Sequence, residues 1–269
     1  MMPAPFEILR KTPRTNCGKC GYATCLAFSA SVSKAGEEPS KCPFLEASAL
    51  SLEEKPAKED LSALEGKRDM ELIAQLKEKV ASLDLAAIAP RLGIEFDPAR
   101  PESLRFFYLG QKIIFSREKI LMDEKIPEDP RDQILLYNYI HSGGGEAPAL
   151  DWIGLESLPN SISKVKTLST YCEERLASLF SGIPPESILA GCGKVHAVRQ
   201  PEAPASLGFQ VPVLPRVPQY LLFWDADPEE GFPARVKVLF DRRVLDFLDL
   251  ESLVFSAERL ADRLAALIQ

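Results

Sequence analysis

Four cysteines spaced C-x2-C-x4-C-x16-C, at Cys17, Cys20, Cys25 and Cys42, constrain this chain more than any other feature. Three of them fall inside the single stretch NCGKCGYATC, although the whole chain of 269 residues has only six cysteines. Four thiolates brought to one point suit tetrahedral zinc or an iron–sulfur cluster. Structural zinc commonly uses two CxxC knuckles, and here the second is missing. The short intervals favour a cluster, with three sulfurs offered from one loop and the distant fourth closing the site. Zinc and bare thiols remain the alternatives on spacing alone.

The residues around the thiols point the same way. Gly18 and Gly21 each follow a cysteine, and without a Cβ they can take positive φ and turn backbone N–H groups towards sulfur. ATCLAFSASVSKAG reads as a short helix entered at Thr24 or Cys25 and stopped at Gly36. Cys25 would then sit at the positive end of the helix dipole, which favours an anionic ligand. Pro43 directly follows the last cysteine, as in the C-P ending of bacterial ferredoxin runs. Lys19 and Lys41 lie beside ligand positions, where each either tunes the site or docks an acidic partner, or is simply a solvated charge.

These residues carry a resemblance. TNCGKCGYATCLAFSASV…KCPFL resembles the [4Fe–4S] domain of the large subunit of corrinoid iron–sulfur proteins. It also resembles the module in the iron–sulfur B subunit of Rnf-type electron-transport complexes. The likeness spans about the first 45 residues and implies that Cys17, Cys20, Cys25 and Cys42 each bind one iron of a [4Fe–4S] cluster. The later stretch ALDWIGLESLP…VPVLPRVPQYLLFWDADPEEGFPARVKVLFDRRVLDFL resembles a domain-of-unknown-function family of anaerobes, often fused to such a module. That second likeness covers most of residues 70–269 and implies no activity. No βα series of barrel type accompanies it.

Composition sets the frame for the remainder. The chain is 46% hydrophobic and 26% charged, with a net charge of −7, so it can bury a core and nothing points to a nucleic-acid partner. No apolar run reaches the roughly 20 residues that span a bilayer, and the N-terminus lacks a secretory h-region. The expectation is a cytoplasmic protein, where clustered thiols stay reduced.

Residues 1–45 read as a cluster-binding domain of helix and loop, 46–69 as a linker that includes Pro56, and 70–269 as an α+β domain. In the last, Ile73, Leu76, Val80 and Leu83 mark one helix face. LRFFYLGQKIIFS reads as a hairpin around Gly110–Gln111, DQILLYNYIH as a helix, and SKVKTLSTYCEERLASLF as another. KVHAVR, LGFQVPV, PQYLLFWD and ARVKVLF read as strands, with Pro215 and Pro218 marking an edge strand or one entered after a kink. SAERLADRLAALI closes the chain as a helix with Ser256 as its N-cap. Strands joined by short turns favour a mostly antiparallel sheet with flanking helices.

Secondary candidates lie in this domain. His141 ends a helix before Gly143–Gly145, where an imidazole could bind a metal or serve as axial ligand to a tetrapyrrole such as a corrinoid or haem. His196 reads as structural. SGGGE is a weak phosphate cradle without the P-loop lysine. Cys172 and Cys192 read as buried thiols or a redox pair, and Asp225, Asp227, Glu229 and Glu230 as a solvated turn or a cation site.

The function expected is electron transfer, from the cluster to a cofactor or redox partner protein engaged by the larger domain. The alternatives are a redox-sensing or assembly module with a structural cluster, and a reductase. No catalytic constellation is visible.

Overall fold

The computed structural model describes residues 5–45 and 58–268. The segment 46–57, most of the expected linker, lies outside the described residues. The chain divides into a unit of residues 1–66 and a unit of residues 67–269, each described separately here.

In the smaller unit, helix α1 (Pro5–Lys11) packs on α2 (Cys25–Ala35), as the two share a core of Ile8, Phe28, Val32, Cys42 and Leu45. The α2 boundaries follow their expected causes. Thr24 has extended backbone and its hydroxyl accepts from the Ala27 N–H at 3.0 Å, capping the first turn. Gly36 ends the helix with φ of 69°.

The larger unit is α+β, with two antiparallel sheets. The first holds β1 (Ser103–Tyr108), β2 (Gln111–Ser116) and β3 (Ile120–Met122) in that order. The second has the order β4-β8-β7-β6-β5, formed by β4 (Trp152–Gly154), β5 (Val198–Arg199), β6 (Leu207–Leu214), β7 (Val217–Trp224) and β8 (Arg235–Asp241). Helices α3 (Lys58–Ala81), α4 (Leu85–Ile88), α5 (Pro130–His141), α6 (Ile162–Leu168), α7 (Glu174–Phe180), α8 (Pro185–Gly191) and α9 (Leu250–Ile268) complete the chain. Ile73, Leu76 and Val80 of α3 are buried as their spacing predicts, and Leu83 packs beside them just beyond the helix end. A π-helical stretch, Ser169–Glu173, joins α6 and α7 where one continuous helix was expected.

Several local expectations are corrected. The first hairpin turns at Leu109–Gly110, both with positive φ, so Gln111 is already in β2. KVHAVR is mostly a tight 3-10 turn in which His196 takes φ of 56°, and only Val198–Arg199 is strand. The strand carrying Pro218 is central rather than at an edge. It tolerates the proline because Pro218 faces Pro212 across the β6–β7 pair, so two residues without an N–H oppose each other next to a register shift. Pro215 lies in the turn before it. The closing helix begins at Leu250, not at Ser256. Asp249 caps it, accepting the Ser252 N–H at 2.8 Å. Ser256 is buried inside α9, where it donates to the Leu253 carbonyl and accepts from Gln219 Nε2 of β7 at 2.8 Å.

α9 is further anchored by a buried ion pair. Asp132 of α5 is 1% exposed and receives both Arg259 Nε and Nη2, at 2.9 and 2.7 Å. Tyr108 at the end of β1 donates to the same carboxylate at 3.1 Å. Burial, then the Asp132 charge, pushes the Tyr108 phenol well above its ordinary value, so it remains a donor.

Candidate metal centre

The loop between α1 and α2 carries the first two cysteines, α2 begins with the third, and the fourth follows the single 3-10 turn Pro39–Lys41. All four are free thiols. Gly18 and Gly21 have φ of 71° and 84°, and the Gly21 N–H bonds the Gly18 carbonyl at 2.9 Å, which closes the loop tightly between Cys17 and Cys25. An L-residue would be strained at either glycine.

Burial grades across the set. Cys25 and Cys42 are 7% and 5% exposed, Cys20 packs partly buried against the small core, and Cys17 is exposed. Cys25 is held by its backbone on both sides: its N–H donates to Asn16 Oδ1 at 2.8 Å, and its carbonyl accepts from the Ser29 hydroxyl at 2.7 Å. The Cys17 thiol is held below its ordinary value, first by the Lys19 backbone N–H, against a smaller opposing effect of desolvation. A thiolate that gathers N–H donors is prepared for metal.

A side-chain network ties the sequence-distant Cys42 to the rest. Tyr22, between Cys20 and Cys25, donates to Glu37 Oε2 at 2.7 Å, and its oxygen lies 2.8 Å from the Ser31 hydroxyl. Glu37 pairs in turn with Lys41 at 2.9 Å, next to Cys42. The Tyr22 hydrogen bond, with that of Lys41, brings the Glu37 carboxyl down to about 2. Lys41 is therefore a paired charge. Lys19 lies over the exposed ring of Phe44, 5.1 Å from its centroid.

Among the described residues, no three or more His, Cys, Asp or Glu side chains converge closely enough to hold a metal ion. What fits a cluster is the donor set, four free thiols, together with the glycine loop, the capped helix start and the pinned Cys25.

The other candidates separate. His141 is exposed at the end of α5. Gly144 is no phosphate cradle: a Cβ there would meet the Arg91 backbone at 2.6 Å, and its carbonyl already accepts from Arg91 Nη2. Asp227 is a turn residue whose carboxylate accepts the Glu229 and Glu230 N–H groups. Cys172 and Cys192 are fully buried, with the Cys172 thiol donating to the Ala257 carbonyl at 3.2 Å. His196, by contrast, lines a cavity of about 930 Å³. Its positive φ is a feature of the fold that no residue spacing announces.

The chain is thus a thiol-bearing unit of helix and loop followed by an antiparallel α+β domain. Residues 84–263 match the model of DUF3786, a "Domain of unknown function (DUF3786)", and the chain belongs to that family. Residues 13–44 match a second family, described as "Putative Fe-S cluster". The acetyl-CoA decarbonylase/synthase complex subunit gamma 2 of Methanosarcina thermophila is 43% identical over 42 residues, and so is the gamma subunit of Methanosarcina acetivorans. Each match covers 16% of this chain and 9% of the relative, so the likeness is to the small unit alone. No solved structure matches.

Proposed function

We propose that this chain is an electron-transfer protein in which Cys17, Cys20, Cys25 and Cys42 bind one [4Fe–4S] cluster. Such a cluster supplies a single reversible electron. The observation that carries the reading is the four-cysteine spacing, free of disulfides and set on a glycine loop that ends at a capped helix. Cys25 and Cys42 fix the buried side of the site, and exposed Cys17 marks the side nearest solvent. The electron passes to a partner protein or to a cofactor engaged by the larger unit.

Charge supports a protein partner of acidic character. Residues 1–45 carry six Lys or Arg against three Asp or Glu, whereas the whole chain carries 32 against 39. The small unit is thus basic in an acidic protein, which favours encounter with a negative surface. The gamma-subunit relatives belong to a multi-subunit complex by name, consistent with such an assembly. No described helix is long and apolar enough to cross a membrane. We place the protein in the cytoplasm of an anaerobe, where a solvent-facing cluster survives. A corrinoid acceptor, brought forward by the likeness, is tested through His141→Ala; the His141 imidazole is exposed at the end of α5.

Anaerobic purification with iron, zinc and sulfide analysis tests the reading. About four irons per chain and a broad absorption near about 400 nm that bleaches with dithionite are expected. One zinc without iron would overturn it.

A further inference from the structure

A cavity of about 930 Å³ in the larger unit lies outside everything assigned above. Its size falls within the range of small-molecule sites. One wall is the outward face of the first hairpin. Burial alternates along β1 and β2, leaving Arg105, Phe107, Lys112 and Ile114 on the side away from the core. Phe107 and Lys112 are directly opposite in the register, and Arg105 is two residues before Phe107. Two cations therefore flank one aromatic ring, and that ring is 47% exposed.

The second wall supplies another ring at a right angle. His196 meets Phe107 at 5.7 Å with an interplanar angle of 79°. This corner is closely packed. The His196 N–H bonds the Gly193 carbonyl at 3.0 Å, and Gly110 in the hairpin turn abuts the Lys194 carbonyl so closely that a Cβ there would stand 1.9 Å from its oxygen. Backbone held in the left-handed region at a non-glycine residue is strained, and such strain concentrates at binding sites. Asp123 and Glu124, which also border the cavity, share this conformation with His196.

The polar groups set the ligand's charge. Arg105 and Lys112 have no carboxylate within ion-pairing distance among the described residues. The bordering acids, Glu95, Asp123 and Glu124, come from loop and turn rather than from the sheet face. Asp123 is already taken up by Gln111 Nε2 at 3.1 Å and the Lys112 N–H at 3.0 Å. The face that a flat molecule would cover thus carries an exposed ring, two cations and no acid.

We propose that this cavity binds a planar conjugated molecule bearing an acidic group. Its ring stacks on Phe107 within the corner made by His196, and its anion lies on Arg105 and Lys112. The site gives the electron-transfer reading a place for an organic acceptor, and in that respect rests on it. Binding is nevertheless measured without electron transfer, so the two stand or fall separately.

Flavin mononucleotide is the probe, titrated into the full-length protein with flavin fluorescence as readout. Saturable quenching is expected, at least tenfold weaker for riboflavin, which lacks the phosphate. Phe107→Ala should weaken binding of both flavins at least tenfold. Arg105→Gln with Lys112→Gln should bring the mononucleotide down to the riboflavin affinity without changing riboflavin itself. Both variants change exposed residues, and circular dichroism confirms their fold. Absence of saturable binding, equal binding by the Phe107 variant, or equal affinity for the two flavins would overturn the proposal. So would displacement by inorganic phosphate at millimolar concentration, since the ring would then be idle.

Discussion

Tyr22 donates its phenolic hydrogen to Glu37 at 2.7 Å, joining the segment between the second and third cysteines to the one that delivers the fourth. Sixteen residues separate Cys25 from Cys42, and this bond spans most of that interval. Removing only the hydroxyl, as in Tyr22→Phe, retains the ring on Phe28 and loosens the approach of Cys42. We expect the purified variant to hold iron but to lose its 400 nm absorption in air several-fold faster than the parent. Equal bleaching rates would show that the bond plays no part in holding the site.

Cys42→Ser should remove the four-iron spectrum and leave at most a three-iron species visible by electron paramagnetic resonance. Serine keeps the size of the side chain but not its affinity for iron. An unchanged [4Fe–4S] spectrum would remove Cys42 from the ligand set.

The Asp132–Arg259 pair makes a contrasting prediction in the larger unit. A carboxylate 1% exposed cannot be left without its partner cheaply. Replacing Arg259 by Met should destabilise this unit by about 3–5 kcal/mol in chemical denaturation. A loss under about 1 kcal/mol would mean that water or Tyr108 satisfies Asp132 instead.

Glu258 gives a pH signature. Burial is the main cause that raises its carboxyl above the ordinary 4.5, outweighing the nearby Arg131. The folded state therefore binds the proton more tightly than the unfolded chain, and stability is lost as pH rises through the folded value. Glu258→Gln should be more stable than the parent at pH 7, with the difference shrinking as pH falls through the raised folded value towards 4.5. Melting temperatures at pH 4 and pH 7 read this directly, and a difference that grows towards low pH would contradict it.

Thiol labelling separates the six cysteines. Burial pushes the Cys192 thiol up to about 12 and that of Cys172 further still. Alkylation of metal-free native protein should reach Cys17 and Cys20 first, and Cys172 and Cys192 only as the chain unfolds. Rapid modification of either buried thiol would refute their placement.

Much of this was written locally. Thr24 and Gly36 bound α2 because capping depends on neighbouring residues, and the alternating apolar residues of LGFQVPV and ARVKVLF form strands for the same reason. The site cysteines stand out because thiol spacing is itself the chemistry. What escaped depends on contacts across the fold. Ser256 looked like a cap, but the apolar face of α9 continues back to Leu250 and buries it against Gln219. KVHAVR alternates like a strand, yet the approach of Lys194 to Gly110 holds it in a tight turn. His196 is far in sequence from Arg105 and Phe107, and only strand register and that turn bring their surfaces to one cavity.

The two-sided hold on Cys25 has a further consequence. With its N–H fixed by Asn16 and its carbonyl by Ser29, this residue cannot swing outward without breaking helix α2, whereas Cys17 has only loop behind it. The four cysteines are therefore held asymmetrically, like a vise with one fixed jaw. On the proposed assignment, Cys17 is the position at which a bound cluster would be most open to solvent.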